Sequence, residues 1–254
     1  MNHILPYLHS EFAACNLEKI NQSALLQSRM DYKFTCPTFI MEELLDLLKN
    51  EYEILAINNH RFFTYQTTYF DTPNLFTYHE HQRQKAHRFK IRYRNYVETA
   101  TSMLEVKWKN AKGKTSKSRL QVEELPMDLG VHTNFFESNG IFNTHTFQAR
   151  INVSYQRISL IHKTGTEKVT LDFNLEASDP VQKIHFPELM IVEVKAPGKM
   201  EAVSLPYLKK LGQREGGLSK YCLGTIALNP QIKHNLFKPL YSKILKLKNL
   251  YAAS

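Results

Sequence analysis

A chain of 254 residues with 43% hydrophobic and 22% charged residues has the composition of a folded globular protein, long enough to bury one large core. Its 33 Lys and Arg against 24 Asp and Glu leave a net charge of +9, which favours anionic partners without separating nucleic acid, membrane surface and phosphorylated molecules. Cys15, Cys36 and Cys222 have no paired spacing, which argues against a disulfide framework or a cysteine zinc site. No apolar run reaches the length of a membrane span and the opening residues do not read as a signal peptide, so a cytoplasmic protein is expected.

Along the chain, Arg29 to Phe34 alternates as a first strand. From Cys36 to Tyr52, Phe39, Ile40, Leu44, Leu47 and Leu48 recur at helical spacing behind Pro37. Thr64 to Phe70 is a strand, and the stretch after Pro73 forms a short helix. Phe89 to Arg94 and Leu104 to Lys109 alternate strictly. Lys117 to Val122, Ile151 to Ile161, Lys168 to Leu175 and Met190 to Lys195 complete eight strands. A helix is expected over Met200 to Leu211 despite Pro206, and one from Leu236 to Tyr251 sets Leu240, Ile244, Leu247 and Tyr251 on one face. The fold class expected is α+β: an eight-stranded antiparallel β-barrel enclosing a tunnel, with helices packed outside.

Because residues two apart on a strand share a face, the polar faces can be read directly. They carry Arg29, Asp31 and Lys33; Lys90, Arg92 and Arg94; Glu105, Lys107 and Lys109; Lys117 and Arg119; Tyr155 and Arg157; Asp172 and Asn174; Glu193 and Lys195. The bland reading is the solvated outside of a half-buried sheet. Against it, long cations dominate strand after strand, a repulsive arrangement that makes sense around a polyanion, with phosphate as the natural candidate. A lone carboxylate such as Glu193 either pairs with a neighbouring cation or, beside phosphate oxygens, holds Mg²⁺ or Mn²⁺. The aromatics in Arg88 to Tyr96 alternate onto the opposite face, which argues against a nucleic-acid patch. His79 and His81, two apart, read as surface residues.

The segments RMDYKF at Arg29, TTYFDTPN at Thr67, KIRYR at Lys90, LEVK at Leu104, YQR at Tyr155, IVEVKAPG at Ile191 and LSKY at Leu218 stand in an order that resembles the VTC (vacuolar transporter chaperone) polyphosphate polymerase domain of the triphosphate tunnel metalloenzyme superfamily. The resemblance implies a tunnel binding ATP, triphosphate or polyphosphate, with Mn²⁺ or Mg²⁺ as cofactor on Glu193. It implies phosphate contacts from Lys33, Arg92, Arg94, Lys107, Arg119, Tyr155, Arg157, Lys195, Ser219 and Lys220. It also implies catalytic roles for Arg92, Arg94, Lys107, Arg157, Glu193 and Lys220. Residues 1–28 are then an extension packed on the tunnel, 29–228 the tunnel domain and 229–254 a basic helical tail. The triphosphatase branch opens with Glu-x-Glu-x-Lys, whereas Arg29 and Asp31 stand here, which puts a hydrolase-type metal site in doubt. Membrane helices of the eukaryotic polymerases have no counterpart, so export of a chain would need a membrane-protein partner.

The function these features imply is a polyphosphate polymerase, a metal-dependent phosphotransferase moving the ATP γ-phosphate onto a polyphosphate chain. Water as the acceptor would make the site an inorganic or nucleoside triphosphatase. A non-catalytic polyphosphate-binding module uses the same cations.

Overall fold

The computed structural model describes residues 4–22, 30–111, 115–217 and 219–252. Arg29 and Leu218 lie outside the described residues. The eight strands read from the sequence are all present and form one hydrogen-bonded path. They are β2 (Met30–Pro37), β4 (Phe63–Asp71), β5 (Arg88–Tyr96), β6 (Thr101–Lys109), β7 (Thr115–Val122), β8 (Gln148–His162), β9 (Lys168–Ser178) and β11 (Leu189–Ala196). Three short strands escaped the alternation signal: β1 (Ala14–Cys15), β3 (Tyr52–Leu55) and β10 (Lys183–Phe186). The order is β2-β11-β9-β8-β4-β5-β6-β7, with β3 on β8, β1 on β3 and β10 on β9; all pairs are antiparallel except β1 with β3.

This path does not close. β2 and β7 are its two ends and do not pair, so the expected eight-stranded barrel is replaced by an open sheet of eleven strands. Two physical reasons are visible. The free edge of β2 is already occupied by the segment before Ser219: Phe34 bridges Glu215, Gly216 N donates to Lys33 O at 2.7 Å, and Thr35 Oγ1 donates to Gly216 O at 3.1 Å. The other end, β7, is the polar sequence TSKSRLQV, solvent-exposed along most of its length, and gains little by burial against a second edge.

The sheet is nevertheless strongly curled. Lys107 on β6 and Glu193 on β11 lie five strands apart on the path, about 24 Å in a flat sheet. Yet the Glu193 carboxylate acts on the Lys107 ammonium, as do Lys33 and Lys195. The concave face therefore brings both halves of the sheet around one basic cleft.

The convex face is apolar and covered. Tyr32, Phe34, Val192, Val194, Leu171 and Leu160 pack against α1 (Ile4–Glu11), α3 (Met41–Leu48) and α6 (Ser204–Lys210). The helix expected from Cys36 begins only at Met41, because Cys36 and Pro37 continue β2 and Thr38–Ile40 make a 3₁₀ turn that leaves Phe39 79% exposed. On the other half, Ile91, Leu104 and Val106 are buried with Leu129, Phe136 and Ile141, and Phe89 and Trp108 pack against them. The aromatic side of β5 and β6 thus lies under the segment containing α5 (Thr133–Glu137).

One helix departs from the expectation that all pack outside. α7 (Lys220–Leu228) seats on the concave side at one end of the sheet, where Tyr221, Cys222 and Ile226 join Ile151, Val153, Leu175 and Ala177. Gly224 permits that approach, since a Cβ there would stand 2.9 Å from Ile151 Cδ1 and 3.1 Å from Ala177 Cβ. A β-bulge supplies the seat. Asn174, in the left-handed region at φ 51°, is the extra residue opposite Tyr155, so Asp172 and Leu175 both face inward. Asn174 itself leaves that alternation and donates to Gln156 Oε1 at 2.5 Å, which corrects its expected place beside Asp172. α8 (Lys238–Ala252) packs Ile244, Leu240 and Leu247 on the same cluster, with Lys243 Nζ donating to Thr35 O at 2.6 Å.

Candidate functional site: a basic cleft floored by a helix start

Cross-strand register builds the site. Arg92 stands opposite Glu105, which stands opposite Arg119; Lys90 faces Lys107, which faces Lys117. Lys33 is paired with Glu193 and Asp31 with Lys195. Arg157 faces Asp172. Such directly opposed side chains lie within reach of one another, so charges of opposite sign pair and like charges crowd.

Three carboxylates organise the cations. Glu105 is completely buried; Arg92 Nε donates to its Oε2 at 2.5 Å, Arg119 Nε lies 3.1 Å from Oε1, Lys117 Nζ bonds the same oxygen, and Arg94 approaches at 3.9 Å. Burial pulls the Glu105 carboxyl upward, but Arg92, Arg94 and Lys117 outweigh it and hold it well below the carboxylate range. Asp172, 1% exposed, receives Arg157 Nε at 2.5 Å and Nη2 at 2.7 Å in a forked pair, and Lys220 Nζ as well. Glu193 Oε1 receives Lys33 Nζ at 3.1 Å and Lys195 Nζ at 3.3 Å. Burial raises its pKa, and Lys33, Lys195, Arg157 and Lys107 more than reverse this.

Cations outnumber these acids, and the surplus shows in the lysines. Burial, with Lys107, Arg92 and Arg88 nearby, pushes the Lys90 ammonium down to about 8. Lys107 is also held at about 8, by burial and by Arg92, Lys33 and Lys195 against the pull of Glu193. Lys117 falls to about 6, chiefly through burial and Arg92, although Glu105 touches it. Each shift means that one more positive charge on this face is costly, the condition a bound polyanion relieves.

An aromatic wall backs the guanidinium groups. Tyr65 and Tyr155 stack at 5.1 Å and 15°; Arg157 lies 4.9 Å and Arg94 5.3 Å above the Tyr65 ring, while Lys220 Nζ sits 4.4 Å over Tyr155. These contacts fix flexible side chains before any ligand arrives. The floor is the start of α7. Ser219 caps it by accepting from Cys222 N at 3.2 Å and also accepts from Lys90 Nζ at 2.7 Å. The helix N-terminus thus adds its partial positive charge beside Lys90 and Lys220. Asp71 anchors this floor: completely buried, it accepts from Thr77 N, Tyr78 N and Tyr221 OH at 2.9, 2.9 and 2.5 Å.

The residues expected to contact phosphate or metal therefore lie on or beside the concave face, Arg119 at its rim with a side chain 56% exposed, while Lys109 stands at the end of β6. Sequence reasoning missed Tyr65 and Asp71, and placed Glu105, Asp172, Lys90 and Lys117 on the polar faces without assigning them individual contacts. The signal for Tyr65 was available, because it lies two residues before Thr67 on the inward face of β4. His81 is not a surface residue: its Nδ1 accepts from Arg88 Nε at 3.2 Å and its Nε2 is buried.

For a divalent metal, Glu193 and Asp31 offer hard oxygen donors at the cleft, bridged by the same two lysines. Among the described residues no cluster of three or more His, Cys, Asp or Glu is present. The donor set suits a cation that shares its coordination with phosphate oxygens and water, as Mg²⁺ and Mn²⁺ do.

No curated protein matches the sequence. Similar solved structures include the candidate adenylyl cyclase HpAC1 from Hippeastrum, described as having a dominant triphosphatase activity, at 14% identity over 78% of this chain and 96% of that one, with a TM-score of 0.49. A candidate adenylate cyclase from Vibrio parahaemolyticus shows 12% identity over 76% and 96%, with a TM-score of 0.46. The PH1819 protein from Pyrococcus horikoshii OT3 shows 13% identity over 78% and 98%, with a TM-score of 0.43. None of the three bears on this chain's chemistry. The VTC domain profile matches residues 28–229, which include β2 through β11, α7 and every candidate residue of the basic cleft, and the chain belongs to the VTC domain family.

Proposed function

We propose that the protein binds the phosphate chain of a nucleoside or inorganic triphosphate along the basic concave face and delivers the terminal phosphoryl group to an acceptor. The observation that supports this reading most is that Glu105, Asp172 and Glu193 are each shared by two or more cations while burial, with further cations nearby, still lowers Lys90, Lys107 and Lys117. Arg92, Arg94 and Arg157, held by carboxylates and tyrosine rings, are suited to grip non-bridging phosphate oxygens. Lys107 and Lys220 neutralise charge that develops on the leaving and transferred groups, and the α7 start fixes one end of the chain. Glu193, with Asp31, would hold Mg²⁺ or Mn²⁺, which supplies further neutralisation of phosphate oxygens.

The acceptor divides two readings. With water, the protein is a metal-dependent triphosphatase; Lys90 and Lys107, near 8, and Lys117, near 6, are groups on this face able to exchange a proton close to neutral pH. With the end of a phosphate chain, already an anion, no base is needed and the protein is a polyphosphate polymerase; VTC domain membership is compatible with either acceptor. The test is to incubate the purified protein with ATP or tripolyphosphate and Mn²⁺ or Mg²⁺, and to resolve free phosphate from polyphosphate. Metal-dependent formation of either product is expected, and its identity assigns the acceptor. Tight binding with no product from either substrate would leave a binding module.

A further inference from the structure

Outside the cleft, one cavity of about 510 Å³ opens where the ends of β5 and β6 meet α4 (Phe76–Gln82), the start of α7 and the turn before α8. Arg88 and Lys109 line it, and none of the described lining residues is acidic. His81 also lines it. Arg88 Nε occupies the Nδ1 lone pair, so the neutral imidazole carries its proton on Nε2, and that buried Nε2 has no hydrogen-bond partner. Burial, and after it Lys90, Arg88, Lys107 and Lys109, push the imidazole down to about 2 and keep it neutral. A buried donor without an acceptor is costly to the fold.

The cavity is joined to the cleft by one residue. Ser219 lines the cavity and its hydroxyl receives Lys90 Nζ from the cleft side. We propose that this cavity is a second phosphate site, which takes the continuation of an inorganic phosphate chain leaving the cleft past Lys90 and Ser219. The proposal rests on the phosphate reading of the cleft for the identity of its ligand. An anionic chain meets Arg88 and Lys109 beside His81, whereas an uncharged nucleoside would leave both cations without a counter-charge.

The experiment compares the affinities of tripolyphosphate and long-chain polyphosphate for wild type, Lys109→Gln, and Arg88→Gln/Lys109→Gln. The single variant guards against loss of folding when Arg88 is removed from His81. A histidine-selective ¹⁵N spectrum of wild type follows the His81 Nε2–H, with adenosine as a control. Wild type is expected to bind the long chain more tightly than tripolyphosphate. Lys109→Gln should weaken the long chain by about tenfold while changing tripolyphosphate by less than about twofold. The long chain, and not adenosine, should move the His81 signal. Unchanged long-chain affinity in both variants, parallel loss of both ligands, or a His81 signal that answers to adenosine would each overturn the second site while leaving the cleft in place. A wild type that binds neither ligand would instead remove the cleft reading.

Discussion

At the scale of single residues, the cleft is governed by which charge holds which. Glu193 and Arg157 both face the proposed phosphate chain, but they would act differently. Glu193→Gln removes one negative charge at nearly constant shape, so turnover should fall by a hundredfold or more, about 2.7 kcal/mol or more of transition-state stabilisation. Chain binding should survive or tighten. Arg157→Ala should weaken both together, because it removes a phosphate contact and leaves Asp172 with Lys220 alone. Affinity by calorimetry and ATP consumption with Mn²⁺ separate the two; wild-type turnover in Glu193→Gln would place the metal elsewhere.

Glu105 tests the structural side of the same network. Its folded pKa is depressed, so its contribution to stability is fully present above the unfolded carboxyl value of about 4.3 and is lost as pH falls through the folded value. Glu105→Gln, which leaves the surrounding cations uncompensated around a buried site, should cost about 3–5 kcal/mol at neutral pH in urea unfolding. The gap to wild type should shrink below about pH 4.

Lys90 behaves in the opposite sense. Held at about 8 in the free protein, it must take up a proton when phosphate raises its pKa, so tripolyphosphate affinity should fall as pH rises above about 8. Lys90→Arg, which stays charged, should show a shallower fall. Equal slopes in calorimetry would exclude Lys90 from the coupling.

At the scale of elements, the segment that seals β2 and feeds α7 runs against β2 too closely to admit a side chain at Gly217. A Cβ on Gly217 would stand 2.5 Å from Lys33 Cβ, a clash with a backbone-fixed atom that no rotamer relieves. Gly217→Ala should push this segment from the β2 edge and displace Ser219. The expected result is a loss of about 1–3 kcal/mol in stability together with weaker phosphate binding. A variant with wild-type affinity would separate the α7 start from the site.

The elements also mark what could be read in advance. Strict alternation located all eight path strands and their polar faces, because period-two patterning depends only on each strand having one buried side. It could not say whether the last strand meets the first. That depends on edges, and the polar run TSKSRLQV of β7 was the available sign that this edge stays open. The bulge at Asn174 and the concave seat of α7 were hidden for the same reason: both break the alternation from which the faces were read. His81 was misread because its spacing from His79 was weighed for metal binding alone, while its partner Arg88 comes from another element.

For the whole molecule, a net charge of +9 and a curled sheet concentrate positive potential on one side of the fold. Filling that face with a polyanion should offset the burial and like-charge cost that lowers Lys90, Lys107 and Lys117, and stabilise only the folded state. The most direct measurement is therefore the melting temperature of wild type and Arg92→Ala titrated with tripolyphosphate at low ionic strength. A concentration-dependent rise in wild type, reduced in Arg92→Ala and suppressed by added salt, is the expected result. A wild-type melting temperature that tripolyphosphate leaves unchanged would contradict a phosphate-binding cleft.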